Sequence, residues 1–158
     1  MRWVRDTCVV RAVASSGAGF LLAVLWFDLM FDVQLLSGHD QRRSEEVLTS
    51  IGQYYRRVTT DARPMNRLVA LGMLVTLAAI ITELARGAAP AWGWWVSLAL
   101  AAVPIGLAGW RTVPSAVRLG SNVGTAEERL TLARGILRDH LVCLGCVAAL
   151  LGVLLGGT

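Results

Sequence analysis

Four long apolar segments constrain the fold of this chain more than any other feature of its sequence. They cover residues 12–36, 67–86, 91–110 and 139–156, and about 20 apolar residues are enough for a helix to cross a bilayer. More than half of the residues are apolar and the mean hydropathy is +0.57, which is outside the usual range of soluble domains. The sequence therefore predicts an all-α integral membrane four-helix bundle that forms one domain over residues 1–158.

The ends of these segments carry further signals. The third segment has Trp92, Trp94 and Trp95 at one end and Trp110 at the other, the pattern of aromatic side chains at both membrane interfaces. Only a short linker containing Pro90 separates the second and third segments, so we expect a tight hairpin there. The first apolar run lacks a small-residue cleavage site after it, which favours a retained first transmembrane helix over a signal peptide.

The first and third connections between the apolar segments are long and polar, and the residue pattern of each predicts a helix. Over residues 44–60, apolar side chains recur at helical spacing, which predicts an amphipathic helix at the membrane surface. In the third connection, Thr125 and Glu128 have the spacing of a capping box, so a helix should begin there and continue through residues 126–156 into the last span. We place one or two such amphipathic helices on the cytoplasmic side.

The two connections also resemble each other. Residues 38–56 and 120–138 share 6 identities in 19 aligned positions. A parallel repeat of two hairpins, related by an axis along the membrane normal, would explain this likeness. Convergence of two interfacial helices on one amphipathic composition explains it equally well.

The arginines predict the orientation. Eleven of them lie in the first and third connections, from Arg42 to Arg67 and from Arg111 to Arg138, against four on the other side, and there is no lysine. Since cytoplasmic loops are enriched in basic residues, both termini should be extracytoplasmic, although the three arginines before the first span favour the opposite orientation. The same distribution accounts for the pI near 9.6 and gives no reason to expect nucleic-acid binding.

Polar residues collect at one level of the predicted bundle. Asp28 and Asp32 lie one helical turn apart near the end of the first span, and other polar residues flank the neighbouring ends of the remaining spans. A carboxylate at membrane depth is costly unless it faces a cavity or an opposite charge. We expect the two aspartates either to pair structurally with Arg67, Arg111 or Arg138, or to form a ligand site. The candidate ligand-binding residues are Asp28, Asp32, His39, Arg67, Arg111, Arg118 and His140.

A metal site is a sharper version of the ligand hypothesis. Carboxylates and imidazoles together suit divalent transition metals, and any such site would use Asp28, Asp32, His39 and His140. No HxxxH or HxxE spacing supports it, and the sequence identifies no cofactor. A C-x-x-C pair, Cys143 and Cys146, is better explained as buried small residues than as a redox site.

Two segments carry a resemblance to known proteins. "RTVPSAVRLGS" and "ARGILRDHLVC" resemble parts of small bacterial four-helix membrane proteins with an anthrone-oxygenase-like plan. The resemblance covers about the last third of the chain. It implies a bacterial cytoplasmic membrane location and one functional surface that includes Arg111, Pro114, Arg118, Gly120 and His140.

Three classes of function fit these features. The first is a module that binds or transports a small ligand, a lipid headgroup or an ion, with membrane lipids as its surroundings. The second is a membrane enzyme acting on a lipid-soluble aromatic or isoprenoid substrate, with Asp28, Asp32 or His140 as acid or base. The third is a subunit of a larger assembly or a homo-oligomer, since small residues line single helix faces.

Overall fold

The chain folds into helices joined by short turns. A computed structural model describes residues 2–37, 41–61 and 63–156, and these contain no β-strand. The all-α prediction is confirmed. The elements are α1 (Arg2–Asp32), a 3-10 turn (Val33–Ser37), α2 (Gln41–Arg56), a π turn (Arg57–Asp61), α3 (Arg63–Ala85), α4 (Ala91–Leu107), a second π turn (Ala108–Thr112), α5 (Val113–Gly120) and α6 (Ala126–Leu155).

Four stretches of the described residues are long and apolar enough to cross a membrane. They are Thr7–Leu36, Pro64–Ala85, Ala91–Gly120 and Ala126–Leu155, so the third helical stretch extends beyond the predicted segment, through the π turn and α5. Their outward faces expose large apolar side chains, among them Leu74 and Val103. Such a surface is suited to lipid rather than water, and these features together indicate a membrane protein.

The four long helices form a bundle around one apolar core. Helix α1 packs against α3 and α6, and α4 packs against the same two helices. Within the described residues, the backbones of α1 and α4 are not in contact, so these two helices lie diagonally opposite each other in the bundle. Small residues bring α1 and α3 close together, since a Cβ atom at Gly17 would overlap the hydroxyl of Thr76. The buried core includes Ala14, Ala18, Ile80, Trp94, Leu150 and Leu154.

The tryptophan prediction needs one correction. Trp92, Trp95 and Trp110 are exposed, as an interfacial belt requires, but Trp94 is only 1% exposed and belongs to the core. Trp92 and Trp95 are three residues apart and share the outer face of α4, whereas Trp94 projects from another face. The guanidinium of Arg11 lies 5.8 Å from the centre of the Trp94 ring.

Helix α2 lies on the protein at one end of the bundle. Its buried residues Leu48 and Ile51 pack with Leu119 of α5 and Ile136 of α6. Two glycines permit this contact, because a Cβ atom at Gly120 would lie 2.9 Å from the Arg56 backbone nitrogen and one at Gly52 would lie 3.2 Å from the Leu119 carbonyl oxygen. The apolar stripe expected over residues 44–60 is therefore covered by α5 and α6.

Helix α6 begins at the capping box that the sequence indicates. The Glu128 backbone nitrogen donates to Thr125 Oγ1 at 3.2 Å, and the Thr125 backbone nitrogen donates to Glu128 Oε2 at 2.9 Å. From there the helix runs without interruption to Leu155. This continuity carries His140 from the polar connection into the level of the bundle where α1 ends.

Candidate functional site: a carboxylate cluster beside an apolar cavity

Asp28 and Asp32 meet two tyrosines of α2. The aspartates lie on one face of α1 because four residues make about one helical turn. The hydroxyl of Tyr54 donates to Asp28 Oδ1 at 2.6 Å, and the hydroxyl of Tyr55 donates to Asp32 Oδ1 at 2.6 Å. Each carboxylate thus has its own phenolic donor, supplied by adjacent positions of one helix.

His140 of α6 joins the two carboxylates. Its Nδ1 atom lies 2.6 Å from Asp32 Oδ2, and its Nε2 atom lies 4.0 Å from Asp28 Oδ2. The first distance is a short hydrogen bond, and the second is too long for one. Asp32 is fully buried, so its two bonds hold the imidazole ring in a set orientation. We call Asp28, Asp32, Tyr54, Tyr55 and His140 the carboxylate cluster.

The two tyrosines are held in their neutral form. Burial raises the pKa of Tyr55, and the negative charge of Asp32 and the hydrogen bond to it raise the pKa further. Burial likewise raises the pKa of Tyr54, assisted by the hydrogen bond to Asp28. Both hydroxyls therefore remain donors at physiological pH. The ring of Tyr54 also stacks on Phe31, with ring centres 3.9 Å apart.

One of our two alternatives for these aspartates was structural pairing with Arg67, Arg111 or Arg138. Among the described residues, none of the three arginines forms an ion pair with Asp28 or Asp32. Arg111 instead binds Asp139 at 3.1 Å, and Arg67 and Arg138 are exposed. The aspartates meet phenolic hydroxyls instead, because α2 folds over this end of the bundle and brings Tyr54 and Tyr55 to them.

The other candidate residues take separate positions. Arg118 is exposed on α5, Arg67 is exposed on α3, and neither contacts the carboxylate cluster in the described part of the chain. Arg111 reaches the cluster only through Asp139, the neighbour of His140. His39 lies outside the described residues.

Tyr54 and Tyr55 are the site residues that our sequence analysis missed. Both fall within residues 44–60, where the sequence predicts an apolar stripe; that prediction accounts for their rings but not for their hydroxyls. A phenolic hydroxyl that becomes buried usually needs a hydrogen-bond partner. Two adjacent tyrosines on an otherwise apolar stripe were therefore a signal for a nearby acceptor.

A cavity of about 510 Å³ adjoins the cluster inside the bundle. Helices α1, α3, α4 and α6 all contribute to its wall, together with α2, α5 and the two π turns. Asp28, Tyr54, Tyr55 and His140 line it, whereas Asp32 does not reach it. In the described part of the chain, no arginine lines it. Most of the remaining wall is apolar and includes Leu21, Val69, Met73, Ile105, Val147 and Leu150.

Comparison with family models, curated proteins and solved structures finds no match for this chain. The resemblance to anthrone-oxygenase-like proteins thus gains no support from these comparisons.

The geometry bears on the metal hypothesis as well. Within the described residues, no group of three or more His, Cys, Asp or Glu side chains is arranged to hold a metal ion. His39, the fourth residue of the proposed set, lies outside those residues. Cys143 is buried on the cavity wall, and Cys146 is half-buried one turn later. Both thiols are free.

A second polar group lies at the opposite end of the bundle. Glu83 is fully buried, and its Oε1 atom binds Arg86 Nη1 at 3.1 Å. The Oε2 atom of Glu83 and the indole nitrogen of Trp94 have no hydrogen-bond partner among the residues that the structure describes. Neither residue lines the cavity beside the carboxylate cluster, so the two polar groups are separate.

Proposed function

We propose that this protein binds a small lipid-soluble molecule inside its helical bundle, as a binding or transport protein of a bacterial cytoplasmic membrane. The observation that supports this most directly is the cavity of about 510 Å³. Its volume falls in the range of small-molecule sites, which are mostly apolar and carry a few well-placed polar groups. The cavity has that composition.

Asp28, Tyr54, Tyr55 and His140 lie together on the wall of the cavity. A ligand with an apolar body and a single polar group matches this arrangement, because its body lies along the apolar wall while its polar group meets Asp28 and His140. A phospholipid headgroup fits less well, since its phosphate calls for basic side chains and none of the described arginines lines the cavity.

The orientation of the protein is part of the proposal. The excess of arginines near the carboxylate cluster favours a cytoplasmic location for this end, with both termini extracytoplasmic. A ligand dissolved in the membrane would then meet its polar partners near the cytoplasmic interface.

Blocking the cavity tests the proposal. Ala108 lines the cavity, whereas Ala102 is exposed and does not line it. Ala108→Leu should reduce the uptake of a neutral fluorescent probe, such as a diphenylhexatriene, by purified protein in nanodiscs, and Ala102→Leu should leave it unchanged. Equal uptake of the probe by the wild type and both variants would contradict binding in this cavity. So would uptake by wild-type nanodiscs that does not exceed uptake by empty nanodiscs.

The Asp32–His140 pair favours a second candidate, a membrane enzyme that acts by acid–base catalysis. A buried carboxylate that orients an imidazole is a recurring arrangement for a general base, and His140 lines the cavity where a substrate would lie. A lipid-soluble aromatic or isoprenoid substrate remains our proposal for this case. Turnover of such a compound that is lost in His140→Gln and retained in Ala102→Leu would establish it.

A further inference from the structure

We infer that the ligand of this cavity is a lipophilic amine in its protonated form, whose ammonium group bridges Asp28 Oδ2 and His140 Nε2. This inference rests on the proposed binding function and names its ligand class. It follows from the charge of the site, from its free hydrogen-bonding atoms and from the character of its walls.

The charges at the cavity favour a cation. The carboxylate cluster holds two carboxyl groups and one imidazole, and its tyrosines are neutral. Arg111 is bound to Asp139 at 3.1 Å and does not line the cavity. With both carboxylates ionised and the imidazole neutral, the cluster carries net negative charge. Among the described residues that line the cavity, no arginine would meet an anion such as a fatty acid.

The hydrogen bonds leave two acceptors facing one gap. An ionised Asp32 can only accept, so the hydrogen of its 2.6 Å bond to His140 belongs to Nδ1. In the neutral ring this leaves a lone pair on Nε2. Asp28 Oδ1 receives the Tyr54 hydroxyl, while Asp28 Oδ2 receives no hydrogen bond from the described residues.

The spacing of these acceptors suits an ammonium group. Asp28 Oδ2 and His140 Nε2 are 4.0 Å apart, so one nitrogen atom can lie at hydrogen-bond distance, about 2.7–3.2 Å, from both. A primary or secondary ammonium has two N–H groups to donate. An alcohol has only one hydrogen to donate, and a quaternary ammonium has none.

The walls suit the rest of the molecule. On α1 the cavity wall runs from Asp28 back to Leu21, a length of about 10 Å at the rise of an α-helix. Met73 and Val147 line it from neighbouring helices, and the aromatic ring of Phe31 lies near the charged end. Aromatic faces attract cations. An arylalkyl chain of a few carbons fits this shape.

The inference is tested with four ligands that share a phenylalkyl chain and differ in their polar group. They are 4-phenylbutylamine, 4-phenylbutan-1-ol, trimethyl(4-phenylbutyl)ammonium and 4-phenylbutanoate, each measured by equilibrium dialysis against phosphatidylcholine nanodiscs with and without the protein. We expect the amine to bind about tenfold or more tightly than the alcohol and the quaternary ammonium, because charge-assisted hydrogen bonds are lost in each comparison. The carboxylate should not bind.

Two variants test whether Asp28 is responsible for the preference for the amine. Asp28→Asn should remove the preference for the amine and retain weak binding of the alcohol, while Glu83→Gln, which removes a buried carboxyl group at the other end of the bundle, should keep the preference. The four-ligand comparison on the wild type does not depend on either variant folding. Equal binding of amine and alcohol, or tighter binding of the carboxylate, overturns the amine assignment and leaves the cavity proposal standing. If none of the four ligands binds, the amine assignment is wrong. If, in addition, Ala108→Leu does not reduce uptake of the fluorescent probe, the proposed binding function is wrong as well.

Discussion

The Nδ1 atom of His140 lies 2.6 Å from the Oδ2 atom of Asp32, although 108 positions separate these residues in the chain. The bond joins the end of α1 to the interior of α6, and both side chains are buried. It orients the imidazole so that its other nitrogen faces Asp28. This relationship connects the stability of the bundle to the chemistry of the cavity.

The Asp32–His140 bond should be measurable as a coupling free energy. Asp32→Asn or His140→Gln alone removes one partner of a buried pair, which destabilises by about 3–5 kcal/mol. The double variant should be less destabilised than the sum of the two, by about 0.5–3 kcal/mol. Chemical unfolding in detergent provides the four values of the cycle, and strict additivity would mean that the two side chains do not interact.

The two tyrosines should differ in their contribution to stability. Tyr55→Phe removes the donor to Oδ1 of the fully buried Asp32, which should cost about 1–3 kcal/mol. Tyr54→Phe should cost less, because Asp28 lines the cavity and retains access to it. Thermal unfolding of the two variants side by side tests the order, and a larger loss for Tyr54→Phe would contradict this picture of the site.

Alkaline pH should destabilise the protein through these tyrosines. The pKa values of Tyr54 and Tyr55 are raised in the folded state, first by burial and then by the neighbouring carboxylates. An unfolded tyrosine titrates near pH 10, at about its ordinary value. The stabilisation is therefore complete below about pH 10 and is lost as the pH rises above it.

The control for this effect is the variant with phenylalanine at positions 54 and 55. Its free energy of unfolding should decline less between about pH 9 and about pH 11.5 than that of the wild type. Parallel pH profiles for the two proteins would show that other groups cause the alkaline loss.

Two glycine-to-alanine changes should have opposite effects. At Gly120, a Cβ atom would approach the backbone of Arg56 to 2.9 Å, so Gly120→Ala should push α2 away from α5 and destabilise the protein. At Gly135 a Cβ atom meets nothing, and Gly135→Ala should stabilise α6 by about 0.5–1 kcal/mol, since alanine is the better helix former. If both changes stabilise, the close contact of α2 with α5 is not required.

The orientation in the membrane can be tested with Cys8, which is exposed near the start of the first span. In a variant with Cys143 and Cys146 replaced by alanine, a membrane-impermeant maleimide should label Cys8 in intact cells. Labelling only after permeabilisation would place the N-terminus in the cytoplasm and the carboxylate cluster on the opposite side. The binding chemistry proposed for the cavity would not change.

Local features of the structure follow from neighbouring residues and could be predicted. The apolar segments are long enough to form membrane helices, the Thr125–Glu128 capping box forms, and the spacing of Asp28 and Asp32 places both on one helix face. Each depends on contacts within a few residues of the chain. The concentration of polar residues near one end was also visible, because it depends only on the antiparallel order of the helices.

The hydrogen-bond partners of Asp28 and Asp32 could not be predicted in the same way. Positive charge was the obvious complement to two aspartates, and three arginines lay at the expected level. Which of them faces inward depends on the rotation of each helix about its axis and on the position of α2. The prediction that Trp94 lies at the membrane interface was wrong because it too depends on helix rotation.

A bundle of four apolar helices with costly carboxylates near one end can be inferred from the sequence, because hydropathy and helical periodicity act over short distances along the chain. The tyrosines and the histidine that satisfy those carboxylates, and the cavity beside them, depend on the tertiary structure. Tyr55 is 23 positions from Asp32 and His140 is 108. Contacts over such separations depend on how whole helices pack, and on small residues such as Gly52 and Gly120 that let α2 approach α5 closely.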